Sequence, residues 1–292
     1  MPELPEVESI RLQLEKYLVD HVIKDVEIRY HKCFQGSKKD LIGGKVKQVR
    51  RFGKVLVIDL DNRYSMLIHV RMTGQLIYKG PNLKKVQKLS EKVKGGLGGK
   101  HTHVIFHLDY GGKLYYNDVR KFGWIKVAVS SKLKAESKFL KKLGPEPVID
   151  KDNPPENPLT LEKFATVVQA SGTSIKSLLM DQKKIAGVGN IYANDALWLV
   201  KINPTKVSKK LGTEEIKKLF KALEKVLKEG IKRGGASEIA FITPDGTEGN
   251  YQDFTLVYGK ERELCLNNCG GKIKKIKISG RGTYYCPNCQ KL

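Results

Sequence analysis

A proline directly behind the initiator methionine, with a glutamate after it, is the residue pair in this chain best suited to covalent chemistry. Methionine before proline is normally removed, so the mature chain begins at Pro2, a secondary amine. Such an amine forms an iminium with an aldehyde carbon while it is unprotonated. The residues that follow predict a helix, whose partial positive end disfavours a second positive charge on the amine. Glu3 is near enough to serve as a general acid/base, and Glu6 falls in the first turn, where its charge suits the dipole. PELPE is equally what an ordinary helix start looks like, with proline in the first turn and acids at the dipole.

Four of the five cysteines cluster near the carboxy terminus, which in a reducing compartment points to a metal before it points to disulfides. Three residues separate Cys265 from Cys269, two separate Cys286 from Cys289, and sixteen lie between the pairs. Tetrahedral zinc needs four thiolates at about 2.3 Å, and two tight turns at the ends of a β-hairpin supply them. One structural Zn2+ is expected, because four protein ligands leave no open position for water. Between the pairs, KIKKIKISGRGTYY reads as two short strands joined by Ser279-Gly280-Arg281-Gly282. That tip presents Arg281 as a fork for a phosphate, or as an ordinary solvated turn arginine.

Weaker signals lie between these ends. DQKKIAGVGNIYANDALW places Gly187, Gly189 and Asn190 in a tight turn that opens a helix, a geometry that grips anions such as a DNA backbone. Ile191, Ala196, Leu197 and Trp198 behind it read as core. RRFGK brings Lys54 to the start of an apolar strand, NDVRKFGW brings Arg120 and Phe122 to a turn, and VRMTG does the same for Met72. His101 follows a lysine-rich stretch. Each reads as a turn charge or a core group, but an exposed Met and Phe beside an Arg can also wedge between base steps.

The elements that must position these residues follow from periodicity. Leu4, Val7, Ile10, Leu14, Tyr17 and Leu18 predict a first helix from Pro5 to Leu18. From Val22 to about Val129 short β-rich runs alternate with turns, which suggests an antiparallel sandwich or barrel. Lys79 to Lys100 is rich in lysine and glycine and reads as a mobile, charged surface loop. Gly144 to Pro158 holds five prolines, supports no regular element, and is expected to be a domain linker. Beyond it, helices are expected from a Thr160 cap through Ala170, from a Thr173 cap through Met180, and from Asn190 through Val200. A longer helix capped by Thr213 carries the stripe Ile216, Leu219, Phe220, Leu223, Val226, Leu227 and Ile231, and Gly234-Gly235 stop it. These breaks divide the chain into a β-rich domain over 1–143 that carries Pro2 and Glu3, a linker over 144–158, a helical domain over 159–253 and an expected zinc ribbon over 254–292.

Composition bounds the function. The 292 residues hold 54 Lys+Arg against 31 Asp+Glu, a net charge of +23, with 40% hydrophobic residues. A pI near 9.7 fits a polyanionic partner, most commonly nucleic acid. No apolar run approaches the roughly 18 residues of a membrane span. Three acids precede the first basic residue, Arg11, the wrong polarity for a targeting address, so an intracellular protein without a membrane partner is expected.

Taken in order, PELPEVE, RRFGK, HVRMTG, NDVRKFG, LGPEP, MDQKKIAGVGNIYAND, the DG-containing loop after GG, VYGK and SGRGTYYCPNCQ resemble the formamidopyrimidine-DNA glycosylase and endonuclease VIII family of base-excision repair enzymes. The resemblance spans nearly the whole chain. It implies an α+β architecture: an N-terminal helix with a two-layer antiparallel β-sandwich, a helix-two-turn-helix domain, and a C-terminal zinc ribbon. It implies a bifunctional DNA glycosylase and abasic-site lyase acting on damaged double-stranded DNA as a monomer, in a nucleoid, cytoplasm or nucleus. By that resemblance Pro2 is the nucleophile on C1′ of the deoxyribose and Glu3 the general acid/base. Lys54 and Arg281 match positions for proton transfer and phosphate binding during β,δ-elimination, and Arg281 suits the phosphate better than the proton. Asn190 matches a phosphate-gripping position and His101 a DNA-contacting one. Met72, Arg120 and Phe122 match the set that fills the void left by a flipped base. They look like the purine branch, which prefers 8-oxoguanine and formamidopyrimidines; the endonuclease VIII branch prefers oxidised pyrimidines. The loop from about Ser237 to Tyr251 resembles the purine branch's base-covering loop in position more than in sequence.

Three departures stand out. The first cysteine pair has one residue more than usual between its members, the 79–100 stretch is long and basic, and Gly172 stands where relatives carry a DNA-contacting lysine. The extra lysines of the loop are expected to compensate in affinity. Two competing classes are a non-catalytic DNA-binding protein, which the presence of Pro2, Glu3 and Lys54 disfavours, and an RNA-associated zinc ribbon protein, which leaves the Pro-Glu start unexplained.

Overall fold

In a computed structural model the chain folds as two compact units, Met1–Lys141 with Gly230–Gln252, and Lys142–Glu229 with Asp253–Leu292. The structure describes residues 1–83, 89–93, 96–150, 154–238 and 240–292, and for Glu136 the backbone alone.

The first unit begins with helix α1, Leu4–Leu18, followed by nine strands. These are β1 (Ile23–Ile28), β2 (Phe34–Gln35), β3 (Val46–Phe52), β4 (Val55–Leu60), β5 (Tyr64–His69), β6 (Gly74–Lys79), β7 (Thr102–Leu108), β8 (Lys113–Asp118) and β9 (Trp124–Val129). One sheet has the order β1-β7-β8-β6 and the other β2-β9-β5-β4-β3; only the short β2–β9 pair is parallel. Alternate residues of both sheets, among them Val26, Ile58, Ile68, Leu76, Phe106 and Ile125, meet in one core with Val7, Ile10, Leu14 and Leu18 of α1. The periodicity of α1 therefore marks its buried face, and a sandwich rather than a barrel is what forms. A one-turn helix α2, Leu133–Glu136, follows β9.

The second unit is mostly helical. Helix α3 (Leu161–Gln169) is capped as expected by the Thr160 hydroxyl, which accepts from Lys163 N. Helix α4 (Ile175–Met180) is capped by Ser174, one residue later than expected, because the Thr173 carbonyl is engaged by Ser208. Helix α5 spans Asn190–Leu199 behind the N-cap Gly189, and Ile191, Ala196, Leu197 and Trp198 are buried. Thr213 is the first residue of α6 (Thr213–Lys232), not its cap; Gly212 stands before it, and its N–H is held by the Glu215 carboxylate. Phe220 and Ile231 of the apolar stripe are half-buried, the rest buried. Gly234 and Gly235, at φ +71 and +84, end the helix in the left-handed region.

Three further expectations need correction. Within 144–158, Glu146–Pro147 (β10) pairs in parallel with Pro158–Leu159 (β11), so the proline-rich stretch does carry a short regular pairing; residues 151–153 lie outside the described ones. Of the 79–100 stretch, 84–88 and 94–95 lie outside the described residues, but 89–93 is not a free surface loop. Val93 is buried in a cluster with Ile77, Ile105, Tyr115 and Ile242. The second unit closes on the zinc hairpin, β12 (Lys274–Ile278) and β13 (Arg281–Tyr285), joined by the two-residue turn Ser279-Gly280 at φ +46 and +76. Arg281 is thus the first strand residue, paired with Ile278, rather than part of a four-residue tip.

Candidate active site

In the first unit the amino terminus is buried as far as its second residue. Met1 is 46% exposed, whereas Pro2, Glu3 and Glu6 are buried. Glu3 caps α1, and its N–H donates to Glu6 Oε2 at 2.7 Å. The other oxygen of Glu6 accepts from Ala236 N at 2.8 Å. Gly235 makes this approach possible, since a β-carbon there would lie 2.8 Å from Glu6 Cγ. Glu6 therefore does more than suit the helix dipole: it ties the Pro2-Glu3 turn to a segment 230 residues away.

Lys54, buried, stands at the two-residue turn between β3 and β4. That turn is bound to α1 by a chain of contacts. Arg51 donates from Nη1 to Gly53 O at 3.0 Å and from Nε to Glu8 Oε2 at 2.7 Å, and Glu8 also pairs with Arg11 at 2.8 Å. Burial pushes the Glu8 carboxyl upward, but Arg51 and Arg11 outweigh it and hold the group below its usual range. The Lys54 turn and the first turns of α1 are thus fixed to each other. His69, at the end of β5, is buried; desolvation, with Arg71 and Lys54 adding positive charge, pushes its pKa down to about 3. Its Nδ1 accepts from Arg71 N at 3.1 Å, so the ring is a neutral acceptor.

Met72, Arg120 and Phe122 come together. Arg120 Nη1 lies 3.1 Å from Met72 Sδ, and its guanidinium lies 4.7 Å from the Phe122 ring centroid. Phe122 is 55% exposed. Asp118 staples the two turns that carry these residues. It accepts from Thr73 Oγ1 at 2.5 Å, from Arg120 N at 3.1 Å and from Gly123 N at 2.8 Å. Gly123 is required there, because a β-carbon would fall 2.0 Å from the Tyr116 hydroxyl. Half-buried His101 precedes β7, and its carbonyl accepts from Asp118 N at 2.9 Å.

The second unit carries Asn190, Arg281 and the cysteines. Asn190, half-buried, opens α5, and its carbonyl accepts from Asn194 Nδ2 at 2.6 Å. Asn194 in turn accepts from Tyr284 N at 2.9 Å, so one buried amide joins the start of α5 to the strand of Arg281. Lys176 of α4, 1% exposed, pins the same strand through Gly282 O at 3.0 Å and Thr283 Oγ1 at 2.6 Å. Arg281 itself is exposed. Neither Lys176 nor Asn194 was marked by the sequence, because each acts through a residue about a hundred positions away.

Cys265, Cys269, Cys286 and Cys289 place their sulfurs within 4.8 Å of one another. Cys265 and Cys289 are 3.9 Å apart and Cys269 and Cys286 3.5 Å, near the roughly 3.8 Å edge of a tetrahedron with 2.3 Å zinc–sulfur bonds and far from the ~2.05 Å of a disulfide. The longer first knuckle is absorbed by Asn268 at φ +51. These residues fit one structural Zn2+. Trp198 of α5 directs its indole N–H at Cys265 Sγ, 3.4 Å away, an outer-shell contact that orients the ligand.

Models of three protein domains match the chain in the same order: the formamidopyrimidine-DNA glycosylase N-terminal domain over residues 1–125, its H2TH domain over 143–241, and the zinc finger found in FPG and IleRS over 263–292. A formamidopyrimidine-DNA glycosylase of Listeria monocytogenes is 38% identical over 296 residues, covering 100% of both chains. The chain belongs to the formamidopyrimidine-DNA glycosylase family. Among solved structures, a complex of the Lactococcus lactis family member with Fapy-dG-containing DNA is similar at a TM-score of 0.82 and 34% identity, over 99% of this chain and 100% of that one. A complex of the same bacterial enzyme with abasic-site DNA is similar to the same degree, with a TM-score of 0.82 and 34% identity over 99% and 100% of the two chains. The glycosylase fold, the zinc finger and the DNA-repair class expected from the sequence are therefore those of this chain.

Proposed function

We infer that this glycosylase removes oxidised purines from duplex DNA and cuts the strand at the resulting site. Pro2, freed of Met1, is the nucleophile. Its nitrogen attacks C1′ as the glycosidic bond breaks and the base leaves with a proton; the nitrogen then gives up its own proton, the C1′–O4′ bond opens with a proton passing to O4′, and the sugar is held as an iminium. Glu3 exchanges protons with the sugar, and Lys54 serves proton transfer at the leaving groups. Loss of a proton from C2′ expels the 3′ phosphate, and a second elimination expels the 5′ phosphate. Arg281 and Asn190 hold phosphates, and His101 adds a DNA contact. The flipped nucleotide costs a few kcal/mol of stacking, which Met72, Arg120 and Phe122 offset by filling its place.

The observation that carries this reading is the buried Pro2-Glu3 turn, bound through Glu8 and Arg51 to the turn of Lys54. The contiguous Met72–Arg120–Phe122 group favours the purine branch over oxidised pyrimidines. No helix among the described residues is long and apolar enough to cross a membrane, and the function requires the compartment that holds the DNA. A monomer suffices for one duplex. Competition between a duplex with 8-oxoguanine opposite cytosine and one with an oxidised pyrimidine tests the lesion class. Preferential excision of the purine is expected; preference for the pyrimidine overturns that part of the reading.

A further inference from the structure

The lysine-rich stretch has a use besides charge. Its described residues 89–93 lie along the described residues of the segment 236–248 in the same unit, and the contacts are specific. Ser90 N donates to Gly246 O at 2.9 Å, and Ser90 Oγ and Lys92 Nζ each donate to the Glu248 carboxylate at 2.5 Å. The Lys92 ammonium also donates to the Ser237 carbonyl. Gln75 of β6, 3% exposed, bridges the two segments by donating to Lys92 O at 2.8 Å and to Ala240 O at 2.7 Å. Beneath these, Val93 packs on Ile242, and Leu89 covers Gly246 so closely that a β-carbon there would fall 2.2 Å from its methyl.

The segment so held ends at the catalytic turn. Ser237, bonded by Lys92, follows Ala236, whose N–H is held by Glu6, and Glu6 holds the N–H of Glu3. Lys92 thus lies three hydrogen bonds from the backbone of the proposed general acid/base. An ammonium with two acceptors inside the unit is poorly placed to be a phosphate contact as well.

We propose that residues 89–93 form a brace in which Lys92, paired with Glu248, is a positioning residue that holds segment 236–248 and, through Ala236 and Glu6, the amino-terminal turn. Its catalytic consequence rests on the function proposed above; its structural part does not. The brace also separates Lys92 from the lysines expected to raise DNA affinity.

The test compares the wild-type chain with Lys92→Met, Lys92→Arg and Glu248→Gln. By hydrogen exchange, K92M and E248Q should lose at least tenfold protection at the amides of Ser90 and Gly246 while those of β7 and β8 are unchanged; K92R should retain it. Single-turnover excision should fall about tenfold in K92M and recover to within threefold in K92R, with duplex affinity and its salt dependence unchanged. Unchanged exchange in K92M overturns the brace. A salt slope reduced by about one, with no change in exchange, instead makes Lys92 a phosphate contact. If the wild-type chain excises no base, the functional reading fails while the exchange data still decide the brace.

Discussion

The buried ammonium of Lys176 donates a 2.6 Å hydrogen bond to the hydroxyl of Thr283, two residues beyond Arg281 in the zinc hairpin. Because the partner group is almost fully out of water, removing the charge leaves Gly282 O and Thr283 Oγ1 without their donor. Lys176→Met should destabilise the protein by about 1–3 kcal/mol, read by denaturant unfolding. If Lys176 acts by presenting Arg281, its effect on strand cleavage should shrink when Arg281→Ala is already present. Additive losses would assign Lys176 to stability alone.

His69 makes stability depend on pH. Its folded pKa, about 3, lies below the roughly 6.5 of an unfolded histidine, so the neutral ring favours the fold. That contribution is complete above about pH 6.5 and falls by about 1.4 kcal/mol per unit as pH drops toward about 3. Unfolding free energies of the wild type and His69→Gln between pH 7 and 4 should therefore diverge in slope, the wild type being steeper by one proton. Parallel slopes would show that His69 accepts its proton within the fold.

Zinc should be visible from Trp198. With its indole N–H 3.4 Å from Cys265 Sγ, removal of the metal by a chelator should shift the emission of a Trp124→Phe variant, in which Trp198 is the remaining tryptophan. Metal analysis should return one zinc per chain, and Cys265→Ser should lower it. An emission unchanged on loss of zinc would contradict the placement of that ring.

What the sequence displays and what it hides differ in range. The period of α1, the Gly234-Gly235 stop and the spacing of the four cysteines are local patterns, and each stands where the pattern puts it. The turns carrying Met72 and Arg120 were visible as turns, but the carboxylate that joins them, Asp118, sits among residues that look like an ordinary strand end. Glu6 and Lys92 read as dipole or surface-loop charges, and Lys176 carries no signal at all, because their partners are 106 to 230 residues away and no periodicity records a contact of that separation. Lysine is rarely buried, so a composition-based reading assigns 89–93 to solvent until Gln75 and Glu248 are seen beside it. The cap of α4 stands one residue later than expected for a similar reason, since Ser208 engages Thr173 from a different part of the chain, whereas at α6 the cause is local: Glu215 holds the N–H of Gly212.

Borohydride trapping decides the covalent step. The mature protein is incubated with a duplex carrying 8-oxoguanine opposite cytosine, reduced, digested, and the linked peptide sequenced by mass spectrometry. The adduct should lie on the nitrogen of Pro2, should disappear when Met1 is retained, and should be lost in large part in Glu3→Gln. An adduct on Lys54 or any other lysine, or strand cleavage undiminished with Met1 still attached, would contradict Pro2 as the nucleophile.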